Sequence, residues 1–98
     1  MNGATNAAPA AGGGLKVIAS GDYELSGGSE SVTFSSAPSV VIVTVSASTP
    51  FGTPDTAVLY SGYATTCSLQ GVQTSLSGNR LSLLNADAGQ HATYLALG

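Results

Sequence analysis

Ionic groups are scarce in this chain. Its 98 residues carry two Lys or Arg and five Asp or Glu, so that 7% are charged and the net charge is −3. An ordinary soluble domain has about 25% charged residues. Two cations cannot form the basic stripe that displaces counterions from a phosphate backbone, which excludes nucleic acid as a partner. A disulfide framework needs several cysteines, and Cys67 is alone. With His91 the single histidine, a four-ligand structural zinc site is excluded, and no metal or cofactor is expected. Tryptophan is absent. The longest apolar run is Val40–Val43, extended to Val45 across Thr44, far short of the ~20 residues that cross a bilayer. Membrane insertion is not expected. The start has neither the basic residues nor the apolar stretch of a secretory signal. The phosphate-loop, nucleophile-elbow and zinc-protease motifs are missing too.

What remains is Ser and Thr, 24 together, with 14 Ala and 13 Gly. Residues 1–14, MNGATNAAPAAGGG, are small and uncharged. They hold too little apolar surface to offset chain entropy, so a flexible Gly/Ala-rich arm is expected there. Residues 15–98 then form a single domain. Within it apolar positions recur every second residue or in short β-branched runs. Strands are expected at 15–19, 22–25, 30–34, 40–45, 56–60, 71–76, 80–84 and 91–97. Turn formers separate them, among them Ser20-Gly21, Ser26-Gly27-Gly28, Ser61-Gly62 and Ser77-Gly78-Asn79. Short strands at this spacing predict an all-β fold, an antiparallel β-sandwich of about eight strands. The expected inward set is Val17, Tyr23, Leu25, Val32, Phe34, Val41, Val43, Val58, Tyr60, Leu69, Val72, Leu76, Leu81, Leu83, Tyr94 and Leu97.

Few aromatics and no disulfide make such a domain marginal alone. Surfaces of Ser, Thr, Ala and Val, poor in Lys and Glu, suit contact with another chain. They also leave edge strands without their usual charged guards. A homo-oligomer is therefore expected.

The segment 21–46 resembles the small β-sandwich modules of tailed-bacteriophage virion proteins. The matching positions are Gly21, Tyr23, Gly27, Val32, Phe34, Pro38, Val41 and Val43. In the closing stretch they are Leu83, Leu84, Asn85, Gly89, Tyr94 and Ala96. The resemblance spans about residues 20–98, and 49–79 matches no pattern in it. It implies a non-enzymatic virion structural protein of the tail-fibre, tail-tip or head-decoration type. It also implies trimeric assembly, docking on a capsid or tail protein, and a role in host attachment. Since only the arm precedes the module, a small separate virion protein is expected rather than a whole fibre.

Single side chains offer little chemistry. Cys67 has no cationic neighbour in the chain to lower its pKa, and an inert buried thiol is expected. His91 is flanked by Gln90 and Ala92, with Asp87 the nearest carboxylate in sequence. Asp22 and Glu24 share one face of a strand, about 7 Å apart, which a solvated outer face explains. The most suggestive binding segment is STPFGTPD (48–55), where two prolines stiffen a loop carrying Phe51. Tyr60 and Tyr63 flank a Ser-Gly turn. Phe51, Tyr60 and Tyr63 are the candidate binding residues, for a subunit or a host-surface glycan. The competing reading is a carbohydrate-binding or adhesive module of a secreted bacterial protein.

Overall fold

The computed structural model describes residues 15–47 and 53–98, and in them the chain is all β with no helix. The expected N-terminal arm and Phe51 lie outside these residues. The strands are β1 (Val17–Glu24), β2 (Gly28–Thr33), β3 (Val40–Val45), β4 (Asp55–Tyr60), β5 (Thr66–Leu69), β6 (Val72–Ser77), β7 (Arg80–Ala86) and β8 (His91–Leu97). They form two packed antiparallel sheets. Sheet A has the order β1-β8-β3-β4 and sheet B the order β2-β7-β6-β5.

The total of eight matches the expectation, but two differences cancel within it. The separator at Ser20-Gly21 does not break the chain: β1 runs through it, with Gly21 opposite Tyr94 of β8. A side chain at 21 would meet the Tyr94 ring, whose nearest atoms stand 2.7 Å from an ideal Cβ. Glycine here makes room for a ring on the neighbouring strand. The other difference is β5, unforeseen although Thr66/Cys67/Ser68/Leu69 alternates polar and apolar.

Two tight hairpins fix the register of sheet B. Leu69 pairs with Val72 across Gln70-Gly71, and both loop residues have positive φ, 50° and 79°. That is the type I′ turn favoured between twisted strands. Ser77 pairs with Arg80 across Gly78-Asn79, where only Gly78 has positive φ, as a type II′ turn requires. Between Gly28 and Glu30 the β2–β7 register slips. The extra β7 residue is taken up beside Asn85, held at φ 63°, a conformation that asparagine tolerates better than most residues.

The core lies between the sheets. Leu25, Phe34, Val41, Val43, Leu69, Val72, Leu76, Leu81 and Leu83 are buried as expected. Val32 and Tyr94 are partly buried and pack against that cluster. In β4 the expected faces are exchanged. Leu59 is 1% exposed, while Val58 and Tyr60 are 41% and 49% exposed. Asp55-Ala57-Leu59 faces inward and Thr56-Val58-Tyr60 outward; both rows carry apolar residues, so alternation alone could not choose. Val17 is also outward, 63% exposed, because a bulge between Val17 and Ala19 shifts the start of β1. The buried alanines Ala86, Ala92 and Ala96 were not expected in the core.

The sheets join without a break at one corner. Glu24 opposite His91 ends the β1–β8 ladder. The Leu25 amide then donates to the Gln90 carbonyl at 2.7 Å, and the Gly89 amide to the Leu25 carbonyl at 3.0 Å. Gly28 opposite Ala86 opens the β2–β7 ladder. Behind this corner sits Gln90, 3% exposed. Its Oε1 accepts from the Asp87 amide at 2.7 Å. Its Nε2 donates to the Gln70 carbonyl at 3.1 Å and to the Ser46 carbonyl at 3.4 Å. One side chain thus ties the ends of β3, β5 and β7 together.

Candidate interaction surface

The two outer faces of the sandwich differ in chemistry. On sheet B most outward residues are hydroxylic, with Gln73, Arg80 and Leu84 among them. Ser31, Ser82, Ser75 and Thr66 form one row across the four strands. Leu84 is the exposed large apolar residue there. Depressions of about 360 and 320 Å³ flank it. Thr66, Ser68, Gln73 and Ser75 line the first, and Ser29, Glu30, Ser31 and Arg80 the second. Water satisfies such a surface without a partner.

Sheet A is divided into two halves by its register. Val17, Leu97, Val40 and Tyr60 form a row across all four strands. The next row is Ser20, Leu95, Ile42 and Val58. The third is Asp22, Thr93, Thr44 and Thr56, the last two joined by a 2.8 Å hydroxyl pair. The first two rows are apolar but for Ser20. Their central members shield one another, so Val40 is buried and Ile42, Leu95 and Leu97 are half-buried. The flanking Val17, Val58 and Tyr60 stay open, and so does Leu15 at 58%.

This explains the unbroken β-branched run of β3. Val41, Val43 and Val45 enter the core, while Val40 and Ile42 serve the outer face. A strand apolar on both sides suits a sheet covered on both sides. Sheet B covers one side of sheet A, and nothing in the described chain covers the other.

Tyr60 and Tyr63 come together on this side. Their ring centroids are 6.4 Å apart at 73°, edge to face, and Tyr63 is 88% exposed. The pair stands where the apolar half meets the edge of β4. Phe51 lies outside the described residues. Asp55, at the opposite end of β4, is about 17 Å along the strand from Tyr60.

The remaining candidates scatter. Asp22 and Glu24 lie on the outer face of sheet A. His91 meets Asp22, not Asp87, with Nδ1 3.6 Å from Oδ1, and both side chains are more than half exposed. Solvent screens such a pair, and the neighbouring Ser46 hydroxyl is engaged with the His91 main chain, accepting from its amide at 3.1 Å. Cys67 is half-buried rather than buried, packed on the edge of the core opposite Thr74. Among the described residues no three His, Cys, Asp or Glu side chains gather as a metal site would require. Also among the described residues, no helix is long and apolar enough to cross a membrane.

The outer face of sheet A was legible only in part. The run in β3 suits a strand covered on both faces or one in a sandwich core alike, and the exchanged faces of β4 hid the contributions of Val58 and Tyr60. No family model matches the chain, and no curated protein or solved structure matches it.

Proposed function

We propose that this chain is a non-enzymatic structural protein of a bacteriophage particle, which assembles with copies of itself and docks on a capsid or tail partner. The observation that carries the assembly part is the apolar half of the outer face of sheet A. Two rows spanning four strands form one continuous surface. Contiguous apolar patches of this kind mark association sites on soluble proteins. The virion assignment rests on the resemblance over residues 20–98, and with it the threefold symmetry and the role in host attachment. Electron microscopy of particles made with and without this chain tests it. The expected result is density on the head or tail that vanishes when the chain is deleted. Identical particles, with the chain absent from them, would overturn the assignment.

The exposed Tyr60–Tyr63 pair favours a second reading, a carbohydrate-binding or adhesive module. Two rigid rings at the rim of a sheet make a stacking surface for a sugar. That reading requires saturable glycan binding by the purified chain, abolished by Tyr60→Ala or Tyr63→Ala.

A further inference from the structure

Four strand edges bound the two sheets, and three are guarded. β1 bears a bulge between Val17 and Ala19 and carries Asp22 and Glu24. β2 pairs through an irregular register and carries Glu30, whose carboxylate is held by the Ser26 amide at 2.8 Å. β5 is only four residues long. Bulges, charges and brevity are the devices that keep edges from pairing. Among the described residues, β4 has neither a bulge nor such brevity. Its six residues pair with β3 in unbroken register. Its single charge, Asp55, turns away to accept a hydrogen bond from the Gln70 amide at 3.1 Å.

The direction of the free groups on β4 follows from two bonds. The Tyr60 amide donates to the Ala64 carbonyl and the Ala64 amide to the Tyr60 carbonyl, at 2.7 and 3.1 Å. The main-chain groups of Tyr60 therefore face away from β3. Beyond it, the Ser61 amide faces β3 and donates to the Ser39 carbonyl at 3.0 Å. Main-chain groups alternate along a strand, so the N–H and C=O of Val58 and Thr56 also face the open edge. The close Thr44–Thr56 hydroxyl pair agrees, since side chains approach most closely at non-hydrogen-bonded pairs.

We infer that β4 is a self-pairing edge, which joins a second copy of this chain in antiparallel register about a twofold axis at Ala57. The inference rests on the self-assembly reading and specifies its contact. In this register Thr56 faces Val58 of the second copy and Val58 faces its Thr56, giving four main-chain hydrogen bonds. The ladder stops cleanly at both ends. The next position pairs Tyr60, already satisfied by Ala64, with Pro54, which has no N–H to leave unmet. Ala64 fills the place beyond Leu59, opposite Tyr60. Two copies of sheet A then form one eight-stranded sheet, whose outer surface carries the two apolar halves at diagonally opposite ends. A threefold head-to-tail contact would instead set β4 against one of the guarded edges, so the twofold departs from the trimer that the resemblance implies.

Amide hydrogen exchange and sedimentation velocity, followed together over a range of concentrations of the full chain, test this. The expected result is a dimer whose formation slows exchange at Thr56 and Val58 by about tenfold or more. Val58→Lys and Val58→Pro should each weaken association by about tenfold or more. Neither removes an N–H bonded to β3, so both should leave the exchange pattern of sheet B intact. Larger species in which the Thr56 and Val58 amides still exchange freely, trimers included, would overturn the β4 contact and leave self-assembly standing. A monomer at every concentration would overturn both.

Discussion

A Gln90→Leu variant is expected to unfold with about 3 kcal/mol less stability than the parent chain. Leucine fills nearly the same space, so lost volume is a minor part of the effect. The larger part comes from the groups left behind. The Asp87 amide loses its acceptor, and the carbonyls of Gln70 and Ser46 lose a donor. Each main-chain group stranded away from water costs about 1–3 kcal/mol. Part of that is recovered where water reaches the corner. In a domain of about this size each kcal/mol lowers the melting temperature by about 4–8 °C, so thermal unfolding by circular dichroism resolves the loss. Gln90→Glu separates the donor from the acceptor role. A carboxylate still accepts from the Asp87 amide but donates to neither carbonyl. Burial raises its folded-state pKa above its unfolded value, so the folded state binds more protons. The Glu variant should therefore lose stability as pH rises through the carboxylate range and recover it as pH falls. A Leu variant as stable as the parent would show that Gln90 merely fills space.

The second large effect lies at Gly21. Gly21→Val is expected to destabilise the sandwich by about 2–3 kcal/mol, the size of an overpacking strain in a filled site. The clash is specific: the new side chain enters the space of the Tyr94 ring. That ring also packs on Phe34, with centroids 5.8 Å apart at 59°, so moving it disturbs the core between the sheets. Tyr94→Ala is destabilising by itself through lost burial. The two changes should not add. Once the ring is gone, valine at 21 meets open space and favours the strand. A double-mutant cycle should show the pair less damaging than the sum by at least about 1 kcal/mol. Additive losses would mean that Gly21 serves the backbone of β1 rather than the ring beside it.

The same residue shows where sequence reading succeeds and where it stops. Ser20-Gly21 looks like a turn because glycine is a common turn former. Whether a glycine bends the chain or makes room for a neighbour depends on the strand beside it, and β8 lies seventy residues downstream. β4 poses a similar problem. Ala57-Leu59 and Val58-Tyr60 are both apolar enough to face inward, and their pairing with Val41 and Ile42 decides which does. Alternation was sufficient in β2, β6 and β7, where one face is plainly polar. Gln90 gave no signal, since a polar residue in a turn resembles any other until its partners from three strands converge. For the candidate site, the aromatic pair Tyr60–Tyr63 could be read from a shared turn. The apolar rows could not, because a row is a property of four strands in register.

Most directly testable is the proposal that the outer face and the β4 edge of sheet A need a second copy. Sedimentation equilibrium of the purified full chain, from low to high micromolar concentration, addresses it most directly. The expected result is a folded species that associates reversibly to a dimer as concentration rises, with Val58→Lys shifting the balance toward monomer. A folded monomer that stays single and soluble at the highest concentration would contradict it.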